Sequence, residues 1–219
     1  MNVAIVEDQI WYQRYLRALV EDSLAGEVVL CTGDGEHALE VCPTLSLDLL
    51  ILDLKLQHLY GLELAEALLN QMPGLRILAY SGEVNAYNLR TIESLGILGF
   101  LDKSDPVMEE DSYIVEAMRR VAKGKRIFSP AIEELRQELA HDSNAYHRIL
   151  SPKKIEILKY IGHCLNDEEI AELTGLSNHT IRKHRTEIMQ QLGLESTHQL
   201  IRYAQRHGFH NPTLEGGVT

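Results

Sequence analysis

Short apolar runs alternate with segments of helical periodicity along the first 125 residues. The runs are rich in branched apolar residues, which predicts buried strands, and between them apolar residues recur at the spacing of amphipathic helices. Strands that alternate with helices in this way favour a parallel sheet covered by helices on both faces. We therefore predict an α/β fold with a doubly wound, five-stranded parallel sheet. Its strands are expected at about residues 2–6, 27–32, 47–53, 75–80 and 97–101.

The third of these runs delivers one carboxylate, Asp53, at its far end. An unbroken apolar run is typical of a strand buried on both faces, and in an open parallel sheet the ligand site lies outside the carboxyl ends of the strands. Asp53 is therefore the candidate reactive residue. A purely structural interpretation stays open at this point, because Asp is common wherever a strand stops.

Polar residues at the other strand ends would share this edge of the sheet. They are Glu7 and Asp8 after the first strand, Ser81 after the fourth and Lys103 after the fifth. Three carboxylates in a partly dry site repel one another unless a divalent cation is bound, and oxygen ligands select Mg²⁺ or its relatives. An ammonium and a hydroxyl beside them suit a phosphoryl group. Asp53 is then the nucleophile of an aspartyl-phosphate chemistry.

This arrangement over residues 1–125 resembles the receiver domain of two-component response regulators, which is flavodoxin-like. The resemblance implies phosphorylation of Asp53 by a sensor histidine kinase, with Mg²⁺ as cofactor. It also implies a metal site and a set of catalytic and switch residues. The implied metal ligands are Glu7, Asp8, Asp53 and the backbone carbonyl of Lys55. The implied catalytic and switch residues are Asp53, Ser81, Lys103 and Phe100.

A rival motif follows the second strand. Gly33, Gly35 and Ala38 fit the dinucleotide fingerprint G-x-G-x-x-A, and Asp53 lies where such folds place a ribose-binding acid. The remote alternative is therefore an NAD-binding redox protein. It leaves the other polar strand ends without a role, and a tight turn explains the glycines equally well.

Residues 150–211 carry a different pattern of four predicted helices. Two of them are joined by a turn at Gly175, which is typical of a helix-turn-helix whose second helix enters the major groove. In that helix, residues 178–192, apolar residues form one stripe, and basic and polar residues lie on the opposite side. A helix whose basic side only faces solvent, with no role in DNA binding, would show the same pattern. Arg185 falls in the apolar stripe, so its head is expected to reach solvent. The candidate DNA-binding residues are His179, Arg182, Lys183, His184, Thr186 and Gln190.

Residues 150 to about 209 resemble the C-terminal domain of the NarL/FixJ response regulators, an all-α, four-helix LuxR-type fold. The matching segments are Leu150-Ser151-Pro152, Glu169-Ile170-Ala171, Leu176-Ser177, Thr180–His184 and Leu192-Gly193. The resemblance implies a regulator of transcription that binds double-stranded promoter DNA as a homodimer and is not an enzyme. Three residues depart from the family pattern: Lys154, where the family usually has Glu, Cys164, where it has Gly, and Glu168, where a Lys often contacts phosphate. Residues 126–149 are predicted to be a partly helical linker, and 212–219 a tail.

Charge is divided unevenly between the two parts. Residues 1–149 contain 13 Lys and Arg against 24 Asp and Glu, whereas residues 150–219 contain 8 against 8. The net charge of −11 thus belongs to the first part, which suggests two modules with different partners. The three cysteines are scattered and are expected to be small core residues of a protein in a reducing compartment. No apolar run approaches the roughly 20 residues of a membrane span, so a cytoplasmic location is expected.

The function predicted from the sequence is a two-component response regulator, phosphorylated on Asp53 and acting on transcription. The first alternative is a DNA-binding regulator that needs no phosphorylation and whose receiver domain serves only for interaction.

Overall fold

A computed structural model of this protein describes residues 1–141 and 146–209. The chain divides into two compact units, one of Met1–Val84 with Asn88–Arg136 and one of Asn85–Tyr87 with the residues from Gln137 onward. The domain boundaries predicted at residues 125 and 149 stay predictions. The predicted tail, residues 212–219, lies outside the described residues, as do parts of the predicted linker and of the last domain.

The first unit is built on a parallel sheet with the strand order β2-β1-β3-β4-β5-β6. The doubly wound parallel fold is confirmed, but the predicted number of five strands is wrong. The sixth strand falls inside the predicted linker and pairs with β5. Its two residues are too few to show a period, which is why the pattern misses it. The strands are β1 (Asn2–Val6), β2 (Glu27–Thr32), β3 (Leu49–Leu52), β4 (Ile77–Ser81), β5 (Gly99–Asp102) and β6 (Ile127–Phe128).

Helices connect these strands, and their apolar sides cover the sheet. The central strands are buried on both faces, as the unbroken apolar run of β3 predicts, since all four residues of β3 are buried. Gly61 begins the helix after β3 and lies so close to the backbone of Asp53 and Leu54 that a side chain would collide with it. That glycine therefore lets the helix pack directly behind Asp53. The helices are α1 (Ile10–Ala18), α2 (Gly35–Val41), α3 (Gly61–Gln71), α4 (Ala86–Ser94), α5 (Asp111–Ala122) and α6 (Pro130–His141).

The described part of the second unit is helical, and the predicted all-α domain is confirmed. Asn166 and Glu169 form a capping box at the start of the second predicted helix of this domain. Gly175 and Gly193, both with φ of +67°, end that helix and the next in the left-handed conformation that glycine adopts without strain. The helices are α7 (Tyr146–Ile149), α8 (Pro152–Gly162), α9 (Asp167–Thr174), α10 (Asn178–Leu192) and α11 (Thr197–Arg206).

The expectation for the cysteines holds for one and fails for another. Cys42 is buried and Cys31 is half-buried, but Cys164 is exposed. Cys164 follows the end of α8, where the chain turns with a φ of +62°, and a residue in such a turn lies at the surface rather than in the core. Among the described residues no helix combines the length and the apolar character that crossing a membrane requires.

Candidate functional site

The candidate site lies at the carboxyl edge of the sheet, where the strand order reverses. From β1 the chain crosses to β2 on one side and then returns to β3 on the other, so that a crevice opens between the ends of β1 and β3. Glu7 and Asp8 follow β1 directly, and Asp53 follows β3. Parallel strands therefore bring carboxylates more than forty residues apart in the chain to one place.

The three carboxylates form a cluster. Carboxylate oxygens of Glu7, Asp8 and Asp53 lie within 4.8 Å of one another, with Glu7 and Asp53 buried and Asp8 half-buried. Burial raises the pKa of Glu7 to about 7, and the negative charge of Asp53 adds to this rise. The pKa of Asp8 is also raised, by burial and then by Asp53. An all-oxygen set of this charge fits a hard divalent cation, which would remove the repulsion.

Lys103 neutralises part of this charge. Its ammonium Nζ lies 2.6 Å from Oε2 of Glu7 and 2.7 Å from Oδ2 of Asp53, and its side chain is only 7% exposed. Burial acts to lower the pKa of Lys103, but the attraction of Asp53 and Glu7 outweighs burial and raises it. The ammonium is therefore charged and fixed between the two buried carboxylates.

The remaining residues of this edge are placed by backbone hydrogen bonds. The N–H of Lys55 donates to Oδ1 of Asp53 at 3.1 Å, which orients the carboxylate. The N–H of Lys103 donates to the carbonyl of Ser81 at 3.1 Å, and the Ser81 hydroxyl oxygen accepts the N–H of Glu83 at 3.2 Å. An open pocket of about 350 Å³ is lined by Asp53, Lys55, Ser81, Lys103 and neighbouring residues.

Phe100 stands apart from this pocket. It is fully buried in β5, where it lies in register with Ala79 of β4 on one side and Phe128 of β6 on the other. Of the residues singled out in the first part of the chain, the structure thus brings Glu7, Asp8, Asp53, Ser81 and Lys103 together, places Lys55 on the rim, and puts Phe100 in the sheet behind them.

Sequence reasoning missed the aromatic residues around Lys103. The Tyr12 ring centroid lies 4.2 Å from Lys103 Nζ, and the Tyr80 centroid lies 5.5 Å from it. The sequence positions of both tyrosines indicate that they lie near the site, because Tyr80 directly precedes Ser81 and Tyr12 follows Asp8 by about one helical turn, in α1. Trp11 also lines the pocket.

The glycines of the rival dinucleotide motif have structural roles. Gly33 packs against the backbone of Asp8: a Cβ added to Gly33 would lie 3.1 Å from the Cα of Asp8. The Asp34 carboxylate caps α2 by accepting the N–H groups of Glu36 and His37, so it occupies the helix end at which a dinucleotide phosphate would bind. The motif also follows β2, the strand at one edge of the sheet, and not β1 or β3, whose ends form the crevice. These observations favour the turn over the nucleotide site.

In the second unit, α10 presents the predicted polar side to solvent. Arg182 and Lys183 have side chains that are 70% exposed, and His179, Thr186 and Gln190 are exposed as well. His184 is half-buried near Glu187. The opposite side is apolar, with Ile181 and Ile188 fully buried. The helix therefore offers a continuous basic and polar surface.

Ion pairs within the second unit hold several charged residues, among them Arg185 and Lys154, and Arg182 also lies 3.4 Å from Asp167. The expectation that the Arg185 head reaches solvent is wrong, because Asp167 of α9 binds it at 2.7 and 2.8 Å and leaves the side chain only 12% exposed. Lys154 of α8 lies 2.9 Å from the Glu187 carboxylate of α10. The unusual lysine thus has an acidic partner within its own domain.

A doubly wound domain with a buried aspartate, lysine and acidic cluster at its edge, joined to a helix-turn-helix domain, defines the class of response regulators. Residues 3–123 match the family of the response regulator receiver domain, and residues 148–204 match the luxR family of bacterial regulatory proteins. The first match spans more than half of the chain, and this chain belongs to the response regulator receiver family. The predicted class, a DNA-binding response regulator and not an enzyme, is confirmed.

The chain is similar to known response regulators and to a solved structure over nearly its whole length. It is 28% identical to the fimbriae Z protein of Salmonella typhimurium, over 94% of this chain and 97% of that protein. It is 27% identical to the nitrate/nitrite response regulator protein NarP of Escherichia coli, over 89% and 90%. RcsB from Salmonella enterica serovar Typhimurium bound to a promoter is similar in fold, with a TM-score of 0.65, 24% identity and coverage of 93% and 98%.

Proposed function

We propose that this protein accepts a phosphoryl group from a sensor histidine kinase on Asp53 in a reaction that requires Mg²⁺. In the phosphorylated form it binds double-stranded promoter DNA as a homodimer in the cytoplasm. The observation that carries this proposal is the Lys103 ammonium, which is held between Asp53 and Glu7 beside a third carboxylate. Mg²⁺ would be held by Glu7, Asp8, Asp53 and the Lys55 carbonyl.

The chemistry is a phosphoryl transfer to a carboxylate. An Asp53 oxygen attacks the phosphorus of the donor phosphohistidine, the P–N bond breaks, and its electron pair goes to the imidazole nitrogen, which takes a proton from solvent. When bound, Mg²⁺ neutralises charge on the carboxylates and on the phosphoryl oxygens. Lys103 donates hydrogen bonds to the phosphoryl oxygens, where negative charge collects. The Ser81 hydroxyl, at the end of the neighbouring strand, turns from the Glu83 N–H to donate to the same group.

Phosphorylation has to shift the protein between two states. The movement of Ser81 opens space into which Phe100 turns, which reshapes the surface formed by α4 and β5. A shift from 1:99 to 99:1 requires a difference of about 5.5 kcal/mol between the states, which several charge-assisted hydrogen bonds can supply.

Labelling with acetyl phosphate tests the first step. We expect Mg²⁺-dependent incorporation of one alkali-labile phosphate in the wild type and none in Asp53→Asn. Asp22→Asn, which changes an exposed aspartate in the same unit, serves as the matched control and should label like the wild type. Equal labelling of Asp53→Asn and Asp22→Asn would refute the assignment of Asp53.

For the DNA step, we propose that α10 enters the major groove through His179, Arg182, Lys183, His184, Thr186 and Gln190. A duplex selected from a random pool by the phosphorylated protein is the probe, measured by fluorescence anisotropy. We expect Arg182→Ala and Lys183→Ala each to weaken binding by roughly 5- to 150-fold. Arg14→Ala, which removes an exposed arginine of the first unit, should bind like the wild type. DNA affinity that is the same with and without Asp53 phosphorylation would instead support the phosphorylation-independent regulator.

A further inference from the structure

We propose that Tyr12 is a positioning residue, whose ring holds the Lys103 ammonium through a cation–π contact while the neighbouring carboxylates bind the metal ion. The inference rests on the proposed role of Asp53 as phosphoacceptor. It assigns a role to an aromatic residue that no polar motif marks.

The geometry of Lys103 carries the inference. Its Nζ lies 4.2 Å from the centroid of the Tyr12 ring, well inside the roughly 6 Å within which a ring face attracts a cation. The ammonium is nearly buried, with 7% of the side chain exposed, and the attraction is strongest where water is excluded. The Tyr80 ring, 5.5 Å away, adds a second aromatic neighbour.

The Tyr12 ring is itself held in place. It meets the Tyr80 ring edge to face, with centroids 5.7 Å apart and an interplanar angle of 87°. Tyr80 is only 3% exposed, so this contact fixes Tyr12 against the body of the sheet. The Trp11 ring, with its centroid 3.6 Å away, also packs on Tyr12. The ring can therefore act as a fixed surface for the ammonium.

The ion pairs of Lys103 with Glu7 and Asp53 depend on whether a metal ion is bound. Glu7 and Asp53 bind the ammonium at 2.6 and 2.7 Å, but both also belong to the acidic cluster that fits a divalent cation. A bound cation draws on the same oxygens and repels the ammonium. The attraction of the ring does not depend on those oxygens, so it persists after the cation binds. Tyr12 thus keeps Lys103 beside Asp53, where the phosphoryl group arrives.

The test compares two substitutions in the full-length protein. Tyr12→Phe keeps the ring, whereas Tyr12→Leu keeps an apolar side chain without one. With acetyl phosphate and Mg²⁺ we expect Tyr12→Phe to label within twofold of the wild-type rate, and Tyr12→Leu to label roughly 3- to 30-fold more slowly. If Tyr12→Leu does not fold, Tyr12→Met provides the same comparison. Equal rates for the ringless variant and Tyr12→Phe would overturn the inference.

A spectroscopic measurement separates this inference from the proposed function. A ring this close to Lys103 shifts the NMR signals of its ε-methylene protons, which the Lys103→Arg spectrum assigns. We expect the shift in the wild type and in Tyr12→Phe, its persistence after Mg²⁺ is added, and its loss in the ringless variant. A shift that disappears from the wild type on addition of Mg²⁺ would overturn the role of Tyr12. Failure of the wild type to label would overturn the phosphoacceptor function and leave the NMR comparison to decide whether the ring holds Lys103.

Discussion

At the scale of single residues, the site is built on buried charged groups, and each of these charges is stabilised by an ion pair with its neighbour. Glu7 and Asp53 are 1% and 3% exposed, and each is bound by Lys103. An unpaired charge at such depth is costly, so removal of one partner perturbs the others. The raised pKa of Glu7 reflects this burial and the negative charge of Asp53.

Binding of Mg²⁺ should depend on pH because of Glu7. Its pKa is raised to about 7 by burial and by Asp53, so the carboxyl is increasingly protonated as the pH falls below neutrality. A metal ligand has to be deprotonated, so affinity falls as the pH falls. We expect Mg²⁺ binding up to about tenfold weaker at pH 6 than at pH 8. At pH 6, one unit below the pKa, only about a tenth of the Glu7 carboxyl is deprotonated, whereas at pH 8 nearly all of it is. The fluorescence of Trp11, which lines the pocket, reports the titration. The pH dependence should be much weaker in Glu7→Gln, and an unchanged dependence there would rule out Glu7 as its source.

Cys164 is a residue in a conformation that suits glycine. A side chain at a φ of +62° costs about 1–2 kcal/mol, and the extra freedom of glycine in the unfolded chain offsets about 0.5–1 kcal/mol of the gain. We therefore expect Cys164→Gly to stabilise the second unit by up to about 1 kcal/mol in thermal unfolding followed by circular dichroism. Cys164→Ala removes the thiol and keeps the Cβ, so it should show no such gain. A gain of equal size in both variants would point to the thiol and not to the backbone.

At the scale of elements, β6 and the start of α6 are part of the first unit. The Ser129 hydroxyl accepts the N–H of Asp102 at 3.1 Å, and Asp105 accepts the N–H of Ala131 at 2.9 Å. Arg136 of α6 binds Glu93 of α4 at 2.9 Å. The segment after residue 125 thus extends the sheet that contains Phe100, because β6 pairs directly with β5.

Substitution of Ser129 tests this extension. Ser129 is fully buried, and Ser129→Ala leaves the Asp102 N–H without its acceptor, which costs about 1–3 kcal/mol. Urea unfolding followed by the fluorescence of Trp11 measures the first unit selectively, because Trp11 is the single tryptophan. Ser46→Ala at an exposed position is the matched control and should be nearly neutral. Similar stabilities for the two variants would show that the hydroxyl contributes little to holding β6.

The ion pair of Asp167 and Arg185 joins α9 to α10. Asp167→Ala leaves a guanidinium that is 12% exposed without its partner, and we expect a loss of about 2 kcal/mol, less than for a fully buried pair. Thermal unfolding followed by circular dichroism measures it. Glu168→Ala removes an exposed acid from the same first turn of α9 and controls for the interaction with the helix dipole. If both variants lost the same stability, the dipole and not the ion pair would be the cause.

At the scale of the whole molecule, the acidic excess lies in the first part of the chain and the basic surface of α10 in the second. An acidic part reduces non-specific attraction to DNA phosphates, so affinity has to come from specific contacts and from dimerisation. We expect beryllofluoride with Mg²⁺ to convert the protein from monomer to dimer in sedimentation velocity. Asp53→Asn should stay monomeric under the same conditions. A wild type that sediments unchanged would refute phosphorylation-dependent dimerisation.

Long periodic segments were predictable, and short ones were not. The run that ends at Asp53 was recognisable because it is unbroken and apolar, and α10 was recognisable because its 15 residues show the helical period; both elements appear as expected. The two-residue β6 shows no period and is defined only by its pairing with β5. The prediction for the Arg185 guanidinium was wrong because its partner, Asp167, lies on another helix, and the pattern of a single helix does not show contacts with a neighbouring one.

The sequence by itself determined which chemistry the chain can carry, because apolar runs and their polar ends follow from local side-chain pattern. It determined the α/β and all-α halves, the order of the carboxylates, Ser81 and Lys103, and the basic side of α10. Only the tertiary structure decided that Lys103 lies between Glu7 and Asp53 with Tyr12 over its ammonium. Distances between residues on different strands depend on sheet order and register, which no local period encodes.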